Sequence, residues 1–164
     1  MQRSYLLLAC ACILLAGFSP VQALTIKSLT VNLQENGDAL VDLRYELSLP
    51  EQAAVLFQIT DLRSTLENNL RDNLNRPVTV YNADTTTSDL VIGNFGEVVE
   101  KDGNRVMVMP AFSLAGAENV MKQYWYGALT SPDFSPDVTE FIFPDGYTEY
   151  YYNQISFPSI TRTL

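Results

Sequence analysis

Residues 26–49 constrain the fold most. Ile26 to Gln34 leads into Glu35-Asn36-Gly37-Asp38. Ala39 to Leu49 then sets Ala39, Val41, Leu43, Tyr45, Leu47 and Leu49 against Leu40, Asp42, Arg44, Glu46 and Ser48. A period of two residues collects one class of side chain on a single face of a strand, and does so in no helix. Asn36-Gly37 provides residues that tolerate positive φ, as a type I′ turn requires. The segment predicts a β-hairpin with one buried face.

Pro50 ends the second strand, and Glu51 to Thr60 fits helix or strand equally. Asp61 then caps a predicted helix whose Leu62, Leu66, Leu70 and Leu74 recur every four residues, and Pro77 stops it. Val78 to Tyr81 reads as a short strand and Ala83 to Asp89 as a polar loop. Leu90 to Glu100 and Arg105 to Met109 flank the turn residues Lys101-Asp102-Gly103-Asn104 as a second hairpin. In that hairpin Gly93 and Gly96 mark a bulge or a close packing contact. Ser113 caps a second helix, with Leu114, Ala117, Val120, Met121, Tyr124, Trp125 and Ala128 on one face. Ser131 to Asp137 is a turn-rich connector. Val138 to Phe143 and Tyr147 to Ile155 form a third hairpin around Pro144-Asp145-Gly146. The sum predicts an α+β domain: an antiparallel sheet of three hairpins plus one short strand, with two helices packed on one face.

The first 23 residues form a separate unit. Arg3 precedes an uncharged apolar run of 14 residues, Tyr5 to Phe18, and Val21-Gln22-Ala23 suits signal peptidase. This is the anatomy of a secretory signal, cleaved after Ala23. The run falls short of the roughly 20 residues that span a bilayer. Leu7-Leu8-Ala9-Cys10 has the outline of a lipobox, but the apolar run continues for eight residues past Cys10, where a lipidated cysteine would end it. Residues 24–164 are then a single domain, with no run long enough to cross a membrane.

Cleavage changes the available chemistry. Both cysteines, Cys10 and Cys12, leave with the signal, and the chain has no histidine. Thiol catalysis, Ser-His-Asp catalysis and the usual zinc sites are excluded on composition. The net charge of −9 becomes one unit more negative once Arg3 is gone. Nucleic acid needs clustered Lys and Arg, which are scattered here, so it is not an expected partner. The glycines form no phosphate-binding motif, and no cofactor or metal is expected.

Two constellations remain. The first is aromatic: Tyr124, Trp125, Tyr126, Phe134, Phe141, Phe143, Tyr147, Tyr150, Tyr151 and Tyr152 crowd the last third. Tyr124, Trp125, Phe141 and Phe143 are expected in the core. Strand alternation sets Tyr150 and Tyr152 on one side and Tyr151 on the other. Tyr147, Tyr150, Tyr151 and Tyr152 are the candidate binding residues, since a phenol offers an apolar body and a polar tip. The second is acidic: Asp133, Asp137, Glu140, Asp145 and Glu149. Their spacing matches no calcium loop, and turn aspartates beside Pro or Gly serve the turn.

Tyr124-Trp125, Ser131-Pro132-Asp133-Phe134-Ser135-Pro136 and Phe143-Pro144-Asp145-Gly146-Tyr147 together resemble a group of small secreted proteins of methanogenic archaea. The resemblance covers about 40 residues and its motifs are those of turns and packing. It implies an archaeal cell-envelope setting and assigns no functional residue. The expected function is an exported, non-catalytic envelope or extracellular domain with a protein-interaction or structural role. One alternative is a carbohydrate-binding module that uses the hairpin tyrosines on an envelope glycan. A carboxylate-dependent glycan hydrolase is a further alternative, for which no motif speaks.

Overall fold

The computed structural model describes residues 24–47, 52, 61–116 and 133–164. The first hairpin forms as the alternation requires. β1 (Thr25–Leu33) pairs antiparallel with β2 (Ala39–Glu46), and Val31 stands opposite Val41. Its turn differs in type. Gly37 has φ +88°, while Asn36 stays out of the left-handed region. The Gly37 N–H donates to the Gln34 carbonyl and the Gln34 N–H to the Asp38 carbonyl, each at 2.8 Å. This is a three-residue loop closed by a bulge glycine. Asn36 contributes its side chain, whose Oδ1 accepts from the Asp38 N–H at 3.0 Å.

The helix α1 (Leu62–Leu74) starts where Asp61 predicts, and Asp61 accepts from the Ser64 N–H at 3.2 Å. It ends at Asn75, which takes φ 51° and donates its N–H to the Arg71 carbonyl, ahead of Pro77. β3 (Val78–Ala83) and β4 (Thr87–Ile92) form a hairpin of their own. Part of the expected polar loop is therefore strand. Only residues 84–86 turn, held by Asp84 Oδ1, which accepts from the N–H of Thr86 at 2.6 Å and of Thr87 at 2.8 Å. The expected single strand from Leu90 to Glu100 is broken. Gly93 to Gly96 carries the chain from β4 into β5 (Glu97–Lys101), which belongs to another sheet. β5 pairs with β6 (Asn104–Met109) through Asp102 and Gly103, both at positive φ, the type I′ signature.

Beyond β7 (Phe112–Ser113), the third hairpin is β8 (Val138–Ile142) and β9 (Thr148–Tyr151), and β10 (Ser156–Phe157) and β11 (Ile160–Thr163) end the chain. The six-stranded sheet runs β3-β4-β2-β1-β8-β9, and its β1–β8 pair is parallel. A three-stranded sheet, β11-β6-β5, and the ribbon β10-β7 complete the strands.

The expected α+β architecture is thus corrected. The described residues form a mostly β fold with a mixed sheet and one helix, and strands cover the large sheet where two helices were expected. Leu29, Val31, Leu33, Val41, Val80, Leu90 and Phe141 of the large sheet bury themselves against Met107, Met109, Phe157 and Ile160. The C-terminal strands are short and pair with residues some 50 positions away, so they left only a weak local signal. The expected second helix runs mostly through residues 117–128, outside the described residues, as do residues 53–60. Within reach of it, Ser113 Oγ accepts from the Ala115 N–H at 3.2 Å.

Candidate functional site

The β8–β9 hairpin carries the candidate tyrosines. Phe143 N–H donates to the Tyr147 carbonyl at 2.8 Å, and Gly146 at φ 82° closes the loop. The register sets Phe141 opposite Glu149, Glu140 opposite Tyr150 and Thr139 opposite Tyr151. Phe141 and Thr139 are buried, so Glu149 and Tyr151 share the core-facing side of the hairpin, and Glu140 and Tyr150 share the outer side.

The four tyrosines therefore divide. Tyr151 is half-buried and packs edge-on against Phe141 at 5.8 Å and Phe157 at 5.7 Å. Burial and the bond its hydroxyl donates to Glu149 at 2.7 Å push its phenol up to about 12. Tyr147 lies at the turn with its ring 3.8 Å below the Arg162 guanidinium. Arg162 in turn donates to Asp145 at 3.0 Å. Tyr150 is 52% exposed and Tyr152, one residue past the strand, 63%. The Tyr150 hydroxyl donates to Glu140 at 2.9 Å, and that bond and the Glu140 charge raise its pKa. Tyr150 and Tyr152 are the two most exposed of the four. Tyr124 and Trp125 lie outside the described residues, and Phe141 and Phe143 are core as expected.

The acidic set is dispersed among structural duties. Asp133 accepts from the Ser135 N–H, Asp137 faces Lys27 at 3.7 Å and Asp145 accepts from the Tyr147 N–H. Glu140 and Glu149 occupy opposite faces of the hairpin. No group of three His, Cys, Asp or Glu residues that could hold a metal occurs among the described residues. Among the described residues, the carboxyls with displaced pKa values, Asp61, Glu67, Asp84 and Asp145, are all displaced downward by cap, edge or turn hydrogen bonds. A general acid at neutral pH needs the opposite displacement.

One arrangement escaped sequence reasoning. α1 lies along the outer edge of β3, and the Val80 N–H donates to Glu67 Oε2 at 3.0 Å. Arg71 donates to the Val78 carbonyl at 3.1 Å and to Glu67 at 2.7 Å. The helix thus supplies side chains where another strand would supply backbone. Glu67 and Arg71 at i and i+4 are a common surface pair, and nothing local marks them as edge partners.

No helix of the described residues is long and apolar enough to cross a membrane. No family model, curated protein or solved structure matches the chain.

Proposed function

We propose that the chain is an exported, non-catalytic envelope or extracellular domain that holds a partner, with the β8–β9 hairpin as its contact surface. The observation that carries this is the exposure of Tyr150 and Tyr152 together at one end of the six-stranded sheet, at 52% and 63%. Open tyrosines suit a contact surface, because each buries a large apolar area and still satisfies its hydroxyl. The secretory pattern of residues 1–23 supports the compartment, and the absence of thiol and imidazole in residues 24–164 supports a role without catalysis.

The test is native mass measurement of the chain taken from its own envelope, beside the double variant Tyr150→Ala, Tyr152→Ala. The expected result is a complex that the double variant loses while its unfolding midpoint stays put. A chain recovered only as a free monomer contradicts the proposal. An envelope glycan is the second reading, favoured by the same two rings, since sugars stack on aromatic faces. Saturable quenching of tyrosine fluorescence by envelope oligosaccharides, lost in the double variant, would move the partner from protein to glycan.

A further inference from the structure

The two ends of the six-stranded sheet are finished differently. At β3 the outward N–H of Val80 and carbonyl of Val78 are taken by Glu67 and Arg71. β9 is the terminal strand at the other end. The bond from Phe143 N–H to the Tyr147 carbonyl sets its phase. Antiparallel alternation then turns the N–H and carbonyl groups of Glu149 and Tyr151 toward β8, and those of Thr148 and Tyr150 away from it. No described residue pairs with that outward row.

Charge adds a second, independent asymmetry. Residues 133–161 hold Asp133, Asp137, Glu140, Asp145 and Glu149 and no Lys or Arg. Lys27 reaches Asp137 and Arg162 reaches Asp145. Glu140 and Glu149 have phenol hydroxyls and, among the described residues, no cation. They stand on opposite faces of the hairpin, each beside a tyrosine ring.

We propose that the outward edge of β9 is a docking line for an extended basic peptide segment, which joins the sheet as a seventh strand through the backbone of Thr148 and Tyr150. This rests on the partner-holding role above and names the partner's chemistry. An added strand places alternate side chains over both faces of the hairpin. Basic residues on one face of it meet Glu140 and Tyr150, and on the other Glu149 and Tyr151. Each position offers a carboxylate and the face or flank of a ring, a setting that suits Lys and Arg. A second copy of this chain is the poorer occupant. It carries the same net charge of −9 and would lay its own β9 carboxylates against these.

The probe is the seven-residue peptide Lys-Lys-Val-Val-Lys-Lys-Val, which sets Lys on both faces of an added strand, with the same peptide carrying Glu in place of Lys as control, read by residue-resolved amide exchange on the purified chain. The Lys-Val probe is expected to slow exchange at Thr148 and Tyr150 at least tenfold and to leave Val80 unchanged, and the Glu-Val peptide to do neither. Thr148→Pro removes an outward N–H that makes no ladder bond, a position where edge strands accept proline. It is expected to weaken the probe at least tenfold. If Thr148→Pro fails to fold, exchange in the unsubstituted chain decides. Binding that leaves the two amides fast is charge attraction alone and overturns the proposal, as does no binding at millimolar peptide. Protection that grows with chain concentration without peptide also overturns it, in favour of a second copy. Loss of the envelope partner in the Tyr150→Ala, Tyr152→Ala variant, with the two amides unprotected by any partner, removes the edge and leaves the contact surface standing.

Discussion

At the residue scale, a few side chains hold positions that no substitute fills. Phe141 is fully buried and meets Phe112, Tyr151 and Phe157 edge-on at 5.4–5.9 Å. Phe141→Ala removes those contacts and leaves a void. It should cost about 3–5 kcal/mol in urea unfolding. Gly37 is fixed twice: it has φ +88°, and a Cβ there would strike the Gly96 carbonyl oxygen, which lies against the first turn. Gly37→Ala should therefore cost more than about 1 kcal/mol, from the left-handed conformation before the clash is counted. Tyr45 is buried, with its hydroxyl 2.6 Å from the Asp84 carbonyl and 2.9 Å from Ser88 Oγ. Burial raises its pKa, so the phenol stays protonated through neutral pH. Tyr45→Phe should cost about 1–3 kcal/mol by taking this partner from the buried Ser88 hydroxyl and from the Asp84 carbonyl, with the β3–β4 turn exchanging its amides faster. The sequence marked Tyr45 by alternation, Gly37 by turn chemistry and Phe141 as an aromatic ring of the kind that fills cores. It could not mark Gly96 as the neighbour of Gly37, because that contact spans nearly 60 positions and leaves no local trace.

At the element scale, most signals carried within about ten residues were readable; the β3–β4 hairpin, whose polar residues read as a loop, was the exception. The three hairpins around Gly37, Gly103 and Gly146 and the helix capped by Asp61 all formed where their own residues place them. Pairings between distant segments were not readable. Parallel β1–β8 joins strands more than 100 residues apart, and β11 finds β6 across about 50. The near-continuous run from Leu90 to Glu100 concealed a change of sheet, and Gly93 and Gly96 were the one hint of it. Among the elements, α1 does most to define the sheet's limits. Glu67 is held below its ordinary pKa, first by the Val80 N–H and then by Arg71. A carboxyl whose folded pKa is depressed stabilises the fold above its unfolded pKa, and that stability fades as pH falls through the folded value. Asp84 and Asp145 are shifted the same way. Urea midpoints should hold steady near neutrality and fall as pH drops through the carboxylate range. Glu67→Gln should flatten that fall, because it removes one of the groups that drives it. An equally steep fall in the variant would separate Glu67 from the edge.

At the scale of the whole molecule, the described chain is a mostly β fold whose six-stranded sheet has one guarded edge and one open edge. A free strand edge invites further pairing, and proteins that tolerate one keep it short or charged. β9 has both features: it spans only Thr148–Tyr151 and carries Glu149. Such an edge resists uncontrolled self-pairing yet accepts a strand of matching charge. The candidate site was legible in part. Alternation separated Tyr151 from Tyr150 and Tyr152 before any coordinates, but it gave no sign that Tyr147 sits under Arg162. Nor did it show that β9 ends the sheet, since strand order is a property of the assembled fold. Replacing Tyr150 and Tyr152 by Ala should leave unfolding free energy within about 0.5 kcal/mol of the parent, as exposed positions do. A larger loss would make these rings structural.

The difference between the two edges is the centre of this account, and residue-resolved amide hydrogen exchange on the free chain tests it most directly. Val80, bonded to Glu67, should exchange slowly, while Thr148 and Tyr150 exchange near the rate of exposed amides and the alternate amides, of Glu149 and Tyr151, stay protected. Slow exchange at Thr148 and Tyr150, or exchange at Val80 as fast as theirs, would contradict it.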